Sequence, residues 1–89
     1  MTEKEWQATI KGELLKFDDW QSISVRENKI IVKILNDFED TIQILFTKME
    51  DRTILKVGKL VRIVIDNREL SNSKRLISET IKNGLEMAI

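Results

Sequence analysis

The sequence predicts a small α+β domain: an antiparallel β-sheet or small barrel followed by a C-terminal helix. Three observations predict it. Residues 60–66 are the most strand-like stretch, with β-branched Val61, Ile63 and Ile65 on one face and Arg62 and Asp66 on the other. Residues 20–26 and 29–35 read as two strands of a hairpin, turned at Glu27-Asn28, where Asn tolerates positive φ. Ile77, Ile81 and Leu85 then recur at helical spacing behind the capping candidates Ser71, Asn72 and Ser73.

The 89 residues make one domain. A chain of this length buries about 60–65% of its unfolded surface, enough for one modest core. It has no Cys, so disulfides, thiolate nucleophiles and Cys-ligated metals are excluded. It has no His either, which removes the commonest general base and metal ligand. The composition therefore argues against hydrolytic triads and zinc sites. A carboxylate-only magnesium site is the one metal chemistry left open. No catalytic residue, cofactor or metal set is assigned. No apolar run reaches the roughly 20 residues that span a bilayer, and no signal-peptide pattern opens the chain. The expectation is a soluble cytoplasmic protein without membrane contact.

Charge sums to zero but is unevenly placed. Residues 1–51 carry net −4 and residues 52–82 net +5. Such asymmetry marks an anion-binding half, or simply solvated charge.

Residues 1–6 are polar and read as a frayed end, with Trp6 folding back over an edge of the core. Over residues 7–17 two templates compete. Ala8, Ile10, Gly12 and Leu14 share a face of a strand, whereas Trp6, Ile10 and Leu14 recur as in a helix. The strand is preferred, because glycine costs a helix interior about 1 kcal/mol but suits a bend in a strand. Asp18-Asp19 signals a turn. In the strand that follows, Ile23 and Val25 face inward, and Trp20, Ser22, Ser24 and Arg26 outward. In the next, Lys33 shares a face with Ile31 and Leu35. Asn36-Asp37 resembles a helix cap, with Glu39 and Asp40 at the positive end of the dipole. Phe38, Ile42, Leu45, Phe46 and Met49 then trace a helical stripe. A strand over 41–46 is the rival, since Ile42, Ile44 and Phe46 alternate, but the helix is preferred. Residues 53–57 form a short strand, Gly58-Lys59 a tight turn, and residues 73–89 the C-terminal helix. That helix either ends at Lys82-Asn83-Gly84 or runs through Gly84.

This order, β-β-β-α-β-β and then a helix, matches the OB-fold, a five-stranded barrel with a helix between strands three and four. An open antiparallel sheet with two helices on one face fits comparably well. One stretch, Val61-Arg62-Ile63-Val64-Ile65-Asp66-Asn67-Arg68-Glu69-Leu70-Ser71-Asn72-Ser73-Lys74-Arg75, resembles a segment of small phage recombination-type proteins. In those a strand ends in Asp-x-Arg-x-(Ile/Leu)-Ser before a helix that opens with Gln-Arg; Lys74 stands here for the Gln. The resemblance covers about one sixth of the chain. It implies work near nucleic acid in a mobile genetic element; the nuclease activity that some of those proteins have in a His-containing domain is not carried over, because this chain has no His.

Four candidate sites follow. Trp20, Arg26, Lys33 and Arg62 would make a face for single-stranded nucleic acid, an aromatic platform beside bases. The plain alternative is a Trp that caps the core among solvated cations. Arg68, Lys74 and Arg75 would hold phosphate near the last helix start, unless Arg68 pairs with Asp66 or Glu69. Asp18-Asp19, or Asp37, Glu39 and Asp40, would bind magnesium, although turn and cap chemistry accounts for them. The apolar face of residues 73–89 would pack on its own sheet or make a homodimer. The expected function is a non-catalytic module binding single-stranded nucleic acid. The alternative is a regulatory accessory protein that binds a host or phage protein.

Overall fold

The computed structural model describes residues 2–17 and 20–87. The chain runs α1 (Glu3–Leu14), β1 (Trp20–Arg26), β2 (Lys29–Leu35), β3 (Thr41–Lys48), β4 (Arg52–Val57), β5 (Val61–Asp66), a 3-10 turn over Asn67–Asn72, and α2 (Lys74–Glu86). The strands form one antiparallel meander in the order β1-β2-β3-β4-β5. The sheet is open, so the fold is α+β without barrel closure. Asp18 and Asp19 lie outside the described residues.

Two elements differ from expectation. Residues 3–14 are a helix rather than a strand, and residues 3–6 belong to it rather than to a frayed end. Its start is capped by Thr2, whose Oγ1 accepts from the Glu5 N–H at 3.2 Å and donates to the Glu5 carboxylate. Trp6, Ile10 and Leu14 are buried on one seam, while Gly12 sits on the exposed side near the end. Glycine there has little packing to lose, and the cap and seam outweigh its propensity cost.

The second difference is at residues 36–49, where a turn and strand β3 replace the expected helix. Asn36 Oδ1 accepts from the N–H groups of Phe38 and Asp40 at 2.9 and 2.8 Å. That is the chemistry of a helix cap used instead to close a turn. Asn36 N–H also donates to the Asp40 carbonyl, and Glu39 takes a positive φ of 63°. The chain reverses instead of coiling, and Ile42, Ile44 and Phe46 enter the core by strand alternation. The expected interruption of the sheet by a helix after β2 is therefore absent.

Other elements match. The β1–β2 turn lies at Glu27-Asn28, with Arg26 opposite Lys29. Gly58 turns β4 into β5 at φ 60°. The helix α2 runs through Gly84, the second of the two expected endings.

Both helices cover one face of the sheet. The core joins Trp6, Ile10 and Leu14 of α1 and Ile77 and Ile81 of α2 to Ile30, Val32, Ile34, Ile42, Ile44, Phe46, Leu55, Val57 and Ile65 of the strands. The apolar face of α2, with Ile77 and Ile81, thus packs on its own sheet. The buried Glu13 carboxylate links the helices, accepting from Ser78 Oγ at 2.9 Å and Lys16 Nζ at 2.8 Å.

Candidate nucleic-acid interface

The face of the sheet away from the helices is uncovered by any described element. Opposed residues of an antiparallel pair point to the same side. The register therefore lays Arg26, Lys29, Thr47, Ile54 and Val64 in one row across the strands. Ser24, Ile31, Leu45, Lys56 and Arg62 make the next row, and Ser22, Lys33 and Gln43 a third. At a strand spacing of about 4.8 Å, a row spans about 19 Å.

Arg26, Lys29, Lys33, Lys56 and Arg62 are all exposed on this face. No carboxylate interrupts these rows, and none of the five makes an ion pair with another described residue. The cations form two banks, on β1–β2 and on β4–β5. Between them β3 contributes Gln43, Leu45 and Thr47 without charge. Half-buried Ile31, Leu45 and Ile54 lie among the cations, and the aliphatic stems of such side chains cover neighbouring apolar surface. A shallow depression of about 470 Å³ opens beside the β4 bank, lined by Thr41, Gln43, Leu45, Lys56 and Lys59 among others.

Three of the expected site residues, Arg26, Lys33 and Arg62, are brought together here. Trp20 is not. A bulge between Trp20 and Ser22 shifts the register, so Trp20 stands opposite Ile34, on the core face with Ile23 and Val25. It packs half-buried against the core. One extra residue reverses the parity of everything beyond it, which simple alternation does not reveal.

The second group also separates. Arg68 pairs with Asp66, its Nη2 at 2.8 Å and its Nε at 3.1 Å from the carboxylate. Arg75 pairs with Glu79 one turn along α2 at 2.9 Å. Lys74 opens α2 in the helical layer, away from the open face. Around Asp66 the surface is acidic: Glu50, Asp51, Asp66, Asn67 and Arg68 line one hollow. The Arg68 guanidinium and backbone N–H hold the Asp66 carboxyl down at about 2. Arg52 similarly lowers Asp51.

Sequence reading missed Lys29, Lys56 and Lys59. Lys29 and Lys33 lie four apart in one strand, which already places them on one face. Joining them to Lys56 required the β2–β3–β4 register. Among the described residues no group of three or more His, Cys, Asp or Glu side chains is placed to hold a metal. No helix among them is long and apolar enough to cross a membrane. The chain matches no family model, no curated protein and no solved structure.

Proposed function

We propose that the protein binds single-stranded nucleic acid through the open face of its sheet, by phosphate contacts. The observation that carries this reading is five exposed cations on one face, none ion-paired with another described residue and with no carboxylate in their rows; Asp66, in the adjoining row opposite Arg52, is held by Arg68. Phosphate neutralisation supplies most of the affinity of non-specific binders. The face presents no aromatic side chain, so bases do not stack on Trp, Tyr or Phe here, and sequence preference is weak. The resemblance of residues 61–75 to phage recombination-type proteins supports the same direction. The sequence pI of about 6.3 argues for modest affinity.

The test is anisotropy of a labelled mixed-sequence single-stranded oligonucleotide at two salt concentrations. With up to five phosphate contacts, affinity falls about 100-fold between roughly 50 and 200 mM salt. No binding at tens of micromolar protein at the lower salt removes the reading. Intrinsic fluorescence is the wrong probe, because Trp6 and Trp20 both lie on the core side.

A second reading rests on the apolar residues among the cations. Ile31, Leu45, Ile54 and Val64 would suit an acidic amphipathic partner segment. Such an interface keeps much of its affinity in high salt, because apolar burial is unscreened.

A further inference from the structure

We propose that the outer edge of β5 pairs antiparallel with β5 of a second copy of this chain, joining two sheets in one defined register. This does not rest on the nucleic-acid reading.

A meander has two edges. The β1 edge is defended: the bulge near Gln21 breaks its regularity, and Gln7 Nε2 donates to the Arg26 carbonyl at 3.1 Å. The β5 edge has neither device. It pairs with β4 from Val61 to Asp66 without a register shift. Among the described residues no turn, loop or side chain hydrogen-bonds to its outward backbone groups. It carries no Pro and no Lys, two common edge protections. Such an edge presents a row of free N–H and C=O groups to another strand.

The register follows from face and charge. One side of β5 is buried, with Ile65 4% exposed, and the other is open, with Val64 48% exposed. A second copy must keep its faces matched, so opposed positions differ by an even number. Centring the pair on Arg62 or on Asp66 sets like charges against each other. Centring it on Ile63 faces Arg62 with Val64, and centring it on Ile65 faces Asp66 with Val64. Centring it on Val64 sets Arg62 opposite Asp66 of the second copy, twice by symmetry, with Val64 against itself and Ile63 against Ile65. This is the register that pairs opposite charges across the strands. The Asp66 carboxylate already accepts from Arg68 and retains a lone pair for one more donor. The two-fold axis then stands perpendicular to the sheet. Both open faces lie on one side and both helical layers on the other.

A contact of one strand edge is well below a standard interface of about 800 Å² per partner, so association is weak and concentration-dependent. Sedimentation velocity without nucleic acid, from about 10 to about 500 µM, tests it. The expected mass rises from 10.4 kDa toward twice that value in the native chain and stays monomeric in Val64→Lys. The register has its own readout, because the chain has no cysteine. Val64→Cys brings two thiols to a Cα separation of about 5 Å, within disulfide reach. In Arg62→Cys they are four residues out of register, roughly 13 Å apart. Mild oxidation therefore yields covalent dimer from Val64→Cys at least about tenfold faster than from Arg62→Cys, by that geometry. A native chain that stays monomeric throughout overturns the proposal. So does a Val64→Lys protein that dimerises like the native chain, or equal cross-linking of the two cysteine variants.

Discussion

The indole Nε1 of Trp6 donates to Thr53 Oγ1 at 2.9 Å, across 47 positions of sequence and with both residues fully buried. Thr53 Oγ1 in turn donates to Asn67 Oδ1, and Asn67 Nδ2 donates to the Met49 carbonyl at 3.1 Å. One polar chain thus ties α1, β4 and the 3-10 turn together inside the core.

That chain depends on the one hydroxyl. Replacing Thr53 by Val keeps the shape but leaves the Trp6 N–H and the Asn67 carbonyl oxygen without it. A buried polar group left unpaired costs about 1–3 kcal/mol, so Thr53→Val should lose about 2 kcal/mol in urea unfolding. Trp6→Phe should lose at least as much, from the missing donor and the smaller ring. A loss below about 0.5 kcal/mol for Thr53→Val would mean that water replaces the hydroxyl.

Two helical glycines should respond with opposite signs. A Cβ on Gly12 meets nothing within 4 Å, so Gly12→Ala should stabilise by about 0.5–1 kcal/mol through helix propensity. A Cβ on Gly84 would lie 2.9 Å from Val57 Cβ and closer still to Val57 Cγ1. Overpacking of this kind costs about 1–3 kcal/mol, so Gly84→Ala should destabilise despite the better propensity. Adding Val57→Ala should recover part of that loss. Melting temperatures of the four proteins decide it, and equal signs for the two glycine variants would contradict the packing.

Charge variants separate the open face from the other cations. Lys33→Gln and Arg62→Gln should each lower the salt slope of oligonucleotide binding by about 0.7. Arg75→Gln, whose partner is Glu79 on the helical layer, should leave the slope unchanged. Equal effects from all three would point to net charge rather than to a face.

The Asp66–Arg68 pair sets an acid limit. The folded carboxyl is lowered from its ordinary 3.8 to about 2. Its contribution is therefore fully present above about pH 4 and is lost as pH falls through the window from about 4 to 2. The group is exposed, so the effect on melting temperature is small. Asp66→Asn should melt lower than the native chain at pH 5, with the gap closing by pH 2. A gap that does not change with pH would assign the role of Asp66 to its turn hydrogen bond alone.

By itself the sequence determined the α+β class, the β1–β2 hairpin, strands β4 and β5 with the Gly58 turn, and the buried seam of α2. Each is carried by local signals, namely β-branched alternation, turn residues and apolar spacing, and these act within one element. Tertiary structure decided the rest where two local readings were nearly equal. The apolar residues of 7–17 and 41–46 satisfy helix and strand periods alike, and Asn36 bonds its neighbours as readily in a turn as in a cap. Burial against the rest of the core selects between such readings, because a short segment has little preference of its own. The cationic face is the clearest case. Arg26, Lys33 and Arg62 were visible as cations, but their meeting with Lys29 and Lys56 depends on register between strands distant in sequence. The exclusion of Trp20 depends on a single bulge. No local signal encodes either, since both are properties of strand pairing.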